Sequence, residues 1–308
     1  MSKKPIPSVD VVIPTYHPGK ETGELLKRLK AQTLKPRRIL IINTEEEFWD
    51  PALAEGIPEA EVFHIKKQDF DHAATRNMGA ELASGDYLLF MTQDAMPAGR
   101  KLLKRLQASF EEPGVAAAYA RQLPAKDCRP IERYTRRFNY PPESRVKSLS
   151  DLPELGVKTF FCSNVCAMYD RKILMERKGF AAPCIFNEDM IFAGRAVRDG
   201  LKIAYVSGAG VIHSHNYSAL QQFHRNFDNG VSQVLHPEVF GGLSSMGEGG
   251  RLVKGTAAYL LASGHILLLP ELFVQSAAKL AGFKLGRAFR LLPKRLILAA
   301  AMNKDYWK

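Results

Sequence analysis

The sequence of 308 residues predicts an α/β fold: a mostly parallel sheet with helices on both faces, followed by a helical C-terminal extension. Two observations carry this. Short β-rich apolar runs alternate with segments of helical period from residue 9 to residue 121. Polar residues stand where those runs end, at Thr15 and Tyr16, at Asn43 and Thr44, and at Asp94. In such sheets ligands sit at the carboxyl ends of the strands, so these residues share one candidate edge.

The elements follow in order. "VDVVIP" (9–14) is a strand, and "ETGELLKRLKAQT" (21–33) is a helix with Leu25, Leu26 and Leu29 on one face. "RRILIIN" (37–43) and "EVFHIK" (61–66) are strands; "DHAATRNMGAELASG" (71–85) is a helix with Gly85 as its expected C-terminal cap. "DYLLFMT" (86–92) is the fourth strand, "GRKLLKRLQASF" a helix and "VAAAYAR" (115–121) the fifth strand. Residues 122–157, rich in Pro, Arg and Lys, are expected as a lid-like insert. "TFFCSNVCAMY" is strand-like, "NEDMIFAGRAVRDG" (187–200) is a helix with Asn187 as N-cap, and "LKIAYVSGAGVIHSH" a strand pair. From about residue 236 a Gly-rich loop leads into helices, dividing the chain into 1–235 and 236–308.

A net charge of +11 favours anionic partners such as nucleotides or phospholipid surfaces. The basic residues are not interleaved with aromatics as a nucleic-acid stacking platform requires, which argues against nucleic acid. The N-terminal stretch has no apolar core of a secretory leader. Cys128, Cys162, Cys166 and Cys184 form no CxxC pair and are expected as reduced thiols.

Asp94 poses the sharpest chemical question. It closes a buried run, with Pro97 placed to stop the chain re-entering the sheet. A solvated turn acid satisfies that placement; so does a cation ligand, and an unpartnered buried carboxylate would cost several kcal/mol. Arg76, early in its helix, pairs a guanidinium with free backbone N–H groups, a phosphate-binding combination. Glu188 and Asp189 open a helix where acids complement the macrodipole. Successive helix residues point about 100° apart, so the two cannot aim at one atom.

"VVIPTY", "TRN.G" (Thr75, Arg76, Asn77, Gly79), "GDYLLFMTQDA" and "NED" (187–189), in this order, resemble the family-2 inverting glycosyltransferases. "FDHAATRN", "TQDA", "HSHNYS", "HRNFDNG" and the tail "KLGR…LP…YW" resemble the rhamnosyltransferase branch. The resemblance covers roughly residues 8–235 and implies the GT-A nucleotide-diphospho-sugar transferase fold. It implies Asp189 as catalytic base with Glu188 beside it. It places the nucleotide-sugar at Pro14, Thr15, Tyr16, Asn43, Thr44, Arg76, Gln93, Asp94 and Arg225. It implies Mg2+ or Mn2+ at Asp94, because the donor's departing diphosphate needs a divalent cation. His215 is a second candidate ligand because "HSH" leaves a strand near that site; the alternative for His213 and His215 is a hydrogen-bonded loop pair. Two departures stand out: the usual Asp-x-Asp is Thr92-Gln93-Asp94, and Asn43-Thr44 replaces the acidic pair after the second strand. Asp94 and Asp189 should face each other across a cleft.

The implied reaction moves L-rhamnose from dTDP-rhamnose to a lipid-linked saccharide of a bacterial surface polysaccharide, by inverting displacement. A UDP-glucose or UDP-galactose donor remains open. So does a sugar nucleotidyltransferase, although "PTYHPGKETG" lacks that class's Gly-rich basic loop. Lys284, Arg287, Arg290 and Lys294 fall opposite Leu285, Phe289, Leu292 and Leu296, a basic amphipathic pattern suited to an anionic membrane surface. The expected location is cytoplasmic, peripheral at the inner face of the plasma membrane. No apolar stretch reaches 18 residues; the nearest stops at Pro270.

Overall fold

Among the described residues nine strands form one sheet in the order β3-β2-β1-β4-β8-β6-β9-β5, with β7 paired to β9. The computed structural model describes residues 7–243 and 246–308. Residues 1–6, in the stretch expected to carry no leader, and 244–245, in the Gly-rich stretch, lie outside the described residues. The strands are β1 Val9–Tyr16, β2 Arg38–Thr44, β3 Ala60–Ile65, β4 Tyr87–Met91, β5 Met96–Pro97, β6 Val115–Leu123, β7 Arg145–Lys147, β8 Cys166–Asp170 and β9 Lys202–Ile212. The helices are α1 Lys20–Lys30, α2 His72–Leu82, α3 Leu102–Gln107, α4 Pro130–Asn139, α5 Leu152–Leu155 and α6 Arg171–Glu176. They continue with α7 Glu188–Arg198, α8 Ala219–Leu235, α9 Pro237–Phe240, α10 Met246–Ala262, α11 Leu269–Arg287 and α12 Lys294–Ala300.

Parallel pairing joins β3, β2, β1 and β4, while β8 runs antiparallel between β4 and β6. The pleat sends Val12, Leu40, Ile42 and Phe90 into one core and Val11, Ile13, Ile41 and Met91 into the other. Continuous apolar runs in β1, β2 and β4 are thus a consequence of burial on both faces.

Asp10 anchors the amino-terminal edge. Its carboxylate is fully buried, accepts from Arg37 at 2.9 and 2.6 Å, and accepts from the Ser84 and Gly85 amides at 2.8 Å. Burial works to raise its pKa; the Arg37 guanidinium and the two amides outweigh that and hold it below the usual carboxylate range. Its contribution is therefore present above the unfolded carboxylate pKa and is lost as pH falls through the depressed native value. Asp10→Ala is expected to lower stability by about 3 kcal/mol, since it strands the buried Gly85 N–H and removes the carboxylate that pairs with Arg37. Denaturant unfolding checks this; a loss under about 1 kcal/mol would mean that water replaces the carboxylate.

Several expectations change. α2 ends at Leu82 with an extended Ala83, so Gly85 is no helix cap; a Cβ there would lie 3.0 Å from the Asp10 backbone nitrogen. Pro97 does not keep the chain out: Met96 and Pro97 pair with Ile212 and Val211 as a short edge strand. The insert at 122–157 is no bare lid, because it contains the end of β6, α4, β7 and α5. The strand pair expected at 201–215 is one strand, β9. Asn187 stands at the N-cap of α7 with φ of 67° and makes no cap bond; its amide donates to Asn229 instead.

The carboxyl-terminal helices pack onto the sheet domain through α8. Ideal Cβ atoms on Gly282 and Gly286 of α11 would lie 2.2 and 2.1 Å from the Phe223 and Phe227 carbonyl oxygens. Only glycine permits that approach of two helix backbones. Pro270 falls in the first turn of α11, where its missing N–H is harmless, and starts the helix it was expected to stop. The basic amphipathic segment is not one helix, since α11 ends at Arg287 and α12 begins at Lys294. Leu285, Phe289 and Leu292 pack with Phe227 and Val231.

Candidate active site

Three side chains able to ligate a metal ion converge beyond β4 and β9. Asp94 Oδ2 lies 3.3 Å from His213 Nε2 and 3.3 Å from His215 Nε2, and the two imidazole nitrogens are 3.0 Å apart. Metal–ligand bonds of about 2.1 Å at right angles set donor atoms about 3 Å apart, so this spacing fits one ion. Thr92 Oγ1 donates to Asp94 Oδ1 at 2.6 Å and orients it. Burial works to raise the Asp94 pKa, but hydrogen bonds from His213 and His215 hold it far below the carboxylate range.

The tautomer of His213 follows from its neighbours. Arg136 has only donors and bonds Gln122 Oε1, which identifies that atom as the carbonyl oxygen. His213 Nδ1, 3.0 Å from the same oxygen, must donate its proton there. In the neutral ring Nε2 then carries the lone pair a cation needs; in the protonated ring the same nitrogen donates to Asp94. A ligand imidazole fixed through its other nitrogen is the usual outer-shell arrangement of metal sites. His213 extends the pair expected from the sequence, where it was an alternative loop histidine. The "HSH" spacing was its signal, since alternate residues at a strand end share a face.

The second cluster surrounds α7. Asp189 Oδ2 accepts from the Asn164 amide at 2.8 Å and Oδ1 from the Met190 amide at 2.7 Å. Glu188 is buried, 3.2 Å from Arg76 Nη1, and accepts from Asn164 Nδ2 at 3.1 Å. Burial opposes its charge, but Arg76, His72 and Asn164 together hold its pKa down. Asp189 goes the other way: burial, and then the Glu188 charge beside it, raise its pKa. Two adjacent carboxylates with opposed shifts form a recognisable acid–base arrangement.

A short loop that the sequence reading took for strand joins the clusters. Ser163 Oγ accepts from Gln122 Nε2 at 3.0 Å, Asn164 holds both acids of α7, and Val165 O accepts from the Thr92 amide at 3.2 Å. The polar Ser-Asn pair breaking an apolar run was the available signal.

The remaining expected residues divide into scaffold and surface. Arg76, expected as a phosphate ligand, does not face open solvent: it is 5% exposed, lies against Glu188, and donates to His72 O at 2.8 Å. Thr15, Asn43 and Thr44 are buried, and Thr15 Oγ1 donates to Asn43 Oδ1 at 2.9 Å, tying β1 to β2. Gln93 exchanges both amide groups with the Tyr16 backbone at 2.9 and 3.0 Å, tying β4 to β1. Pro14 is half-buried within β1, while the exposed Tyr16 ring packs edge-on to His17 at 4.2 Å and to Phe48 at 5.8 Å. Lys67 Nζ sits 5.5 Å above Tyr16. His17, Phe48 and Lys67 were missed; aromatics just beyond strand ends could have flagged the first two. Arg225 lies over Phe186 at 4.6 Å and Tyr217 at 5.7 Å, and Tyr217 stacks on His215. Lys279 of α11 faces inward: burial lowers its pKa, with Glu132, Arg136 and Arg225 acting on it.

The chain is similar to known proteins over nearly its whole length. The family model described as Glycosyl transferase family 2 matches residues 10–177. The O-antigen chain rhamnosyltransferase RfbN of Salmonella typhimurium is 37% identical over 303 residues, covering 97% of this chain and 96% of that protein. The O-antigen chain rhamnosyltransferase WbaN of Salmonella anatum is 35% identical over 307 residues, covering 98% and 96%. Among solved structures, mannosyltransferase PcManGT of Pyrobaculum calidifontis, in complex with GDP-Man and Mn2+, aligns with a TM-score of 0.58 at 17% identity, over 98% of this chain and 87% of that one. S. aureus TarS 1-349 in complex with UDP-GlcNAc aligns with a TM-score of 0.52 at 14% identity, over 92% of each. The two structural likenesses carry the GT-A fold; with the sequence matches, they mean that this chain belongs to glycosyl transferase family 2 and is a glycosyltransferase.

Proposed function

We propose that the protein transfers L-rhamnose from dTDP-rhamnose to a lipid-linked saccharide in the synthesis of a bacterial surface polysaccharide, with inversion at the anomeric carbon. The observation that carries this is near-full-length identity of 37% to a protein named as an O-antigen chain rhamnosyltransferase. The Asp94–His213–His215 group and Asp189, joined by the 163–165 loop, supply the chemistry it needs.

Asp94, His213 and His215 would hold a divalent cation; two imidazoles in the donor set favour Mn2+ over Mg2+. When bound, such an ion neutralises charge on a departing diphosphate. Arg225, held face-on by Phe186 and Tyr217 beside His215, adds a guanidinium for the same phosphates. Tyr16, His17, Phe48 and Lys67 offer stacking surface and a cation to the nucleotide. Asp189 accepts the proton of the acceptor hydroxyl as it attacks, and its raised pKa suits a base. Glu188, kept ionised by Arg76, sustains that basicity.

Thermal-shift titration with dTDP-, UDP- and GDP-sugars, with and without Mn2+, tests the donor. A ligand at 100 times its dissociation constant adds about 2.7 kcal/mol of stability. Stabilisation by a UDP- or GDP-sugar but not by dTDP-rhamnose would replace the rhamnosyl reading with a hexosyl one.

The exposed side of α11 fits peripheral attachment to an anionic bilayer. Ile266–Arg287 is apolar and long enough to cross a membrane, and only 17% of its apolar window is buried. Its glycine face is occupied by α8, so the opposite face is the one left for lipid. There Phe273, Leu280, Lys284 and Arg287 follow at helical spacing, an apolar stripe passing into a basic one. Leu267 and Leu291 are 90% and 86% exposed. Leu267→Asp with Leu291→Asp is expected to shift the protein from vesicle-bound to free in sedimentation with anionic liposomes, at unchanged melting temperature. Retained binding would place the contact elsewhere.

A further inference from the structure

Away from the catalytic clusters, a pocket of about 360 Å3 lies between α4 and α10, lined by Arg121, Tyr134, Arg137, Phe138, Pro142 and Tyr259. We propose that it binds the diphosphate end of an ester with an apolar tail, and so anchors the acceptor. This rests on the transferase reading above, whose acceptor is lipid-linked.

Three features of the pocket define that ligand. The first is charge. Neither Arg121 nor Arg137 forms an ion pair with a carboxylate among the described residues, whereas the neighbouring Arg136 pairs with Glu132. Two guanidiniums without counter-ions facing one cavity are matched to a dianion or trianion, and a diphosphate offers oxygens to both. The second is an aromatic wall. The Tyr134 and Tyr259 rings are 5.4 Å apart, Tyr134 and Phe138 are 6.4 Å apart, and the Arg137 guanidinium lies 5.9 Å over Tyr259. Stacking holds that guanidinium in place while leaving its edge N–H groups free to donate. The third is what adjoins the pocket. Tyr259 packs in one cluster with Leu268 and Leu269, directly after the Ile266–Leu267 turn, whose two side chains are 56% and 90% exposed. A tail leaving the pocket therefore meets exposed apolar side chains at the turn that leads into α11.

The position relative to catalysis is also fitting. Arg121 precedes Gln122 in β6, and successive strand residues point to opposite faces. Gln122 fixes His213, so the pocket lies across the strand from the metal-ligating group. An acceptor whose reacting hydroxyl is on a sugar distant from its diphosphate needs that separation between anchor and base. The neighbouring Lys158 adds positive potential over Phe138 at 4.0 Å, though its charge is shared with Glu248.

Farnesyl diphosphate, inorganic pyrophosphate and farnesol serve as probes, titrated calorimetrically into the full chain in EDTA so that a metal-dependent donor site does not contribute. Farnesyl diphosphate is expected to bind, with pyrophosphate and farnesol each weaker by about tenfold or more, and Arg121→Glu and Arg137→Glu each weakening it by a similar factor. Unchanged affinity in both variants overturns the proposal. Equal affinity for pyrophosphate makes the site one for free phosphate and overturns the tailed ester; equal affinity for farnesol overturns the role of the arginines. Arg137 is exposed, so its exchange decides the matter if Arg121→Glu lowers the melting temperature. The donor thermal shift scores the transferase reading separately, because no nucleotide enters these titrations.

Discussion

Asp189→Asn is expected to lower turnover about 100-fold or more, the scale of losing a general base, while the donor still binds. The amide keeps the shape and can still accept from the Asn164 and Met190 amides that now hold the carboxylate at 2.8 and 2.7 Å. It cannot take a proton from the acceptor hydroxyl. Steady-state transfer and donor titration, measured together, separate the two effects, and parental turnover would remove Asp189 from the base role. The pH profile adds an independent check. The base must be ionised, and burial and Glu188 raise its pKa, so the rate should fall on acidification at a pH above the ordinary carboxylate range. Glu188→Gln removes the neighbouring negative charge and leaves Arg76 uncompensated beside the site. Both changes lower the Asp189 pKa, so the acid limb should move to lower pH. An unmoved limb would mean that another group controls it.

Asp94→Ala is expected to weaken Mn2+ binding, and with it donor binding in Mn2+ buffer, by more than the roughly 10- to 100-fold typical of losing an outer-shell partner. In EDTA the same substitution should change donor affinity little, because the contact runs through the ion. Gln122→Leu supplies the graded comparison. It touches no ligand atom, but it releases His213 Nδ1 from the oxygen that sets its tautomer, and should lie within the outer-shell range. Electron paramagnetic resonance of Mn2+ reads the metal affinity directly. Equal donor loss with metal and in EDTA would point to direct contact by Asp94 or to a damaged strand end.

Much of the framework was legible because it depends on local pattern. The runs of β1, β2 and β4 had to be sheet-centre strands, since nothing shorter than full burial on both faces explains so few polar residues in them. The ends of those strands, the helix opening at Glu188 and the two departures from the family's acidic motifs could all be located along the chain. What each residue does there was less accessible. Arg76 carries every local mark of a phosphate ligand, yet it faces Glu188, because that acid is buried and an unpaired buried charge is costlier than an exposed one. The Ser163–Val165 loop looks like strand in sequence and joins the two halves of the site only once β8 runs antiparallel beside β4.

The sequence by itself thus determined the fold class, the candidate base and the acid at the end of β4, since apolar periodicity and motif order are properties of neighbours along the chain. The tertiary structure alone decided that His213 joins Asp94 and His215, that Lys279 turns inward, and that one side of α11 stays bare while glycines press the other against α8. These depend on which groups residues far apart in sequence bring within a few ångströms of each other. A side chain's partner, and with it its charge state and its use, is set by that proximity, and no local pattern encodes it.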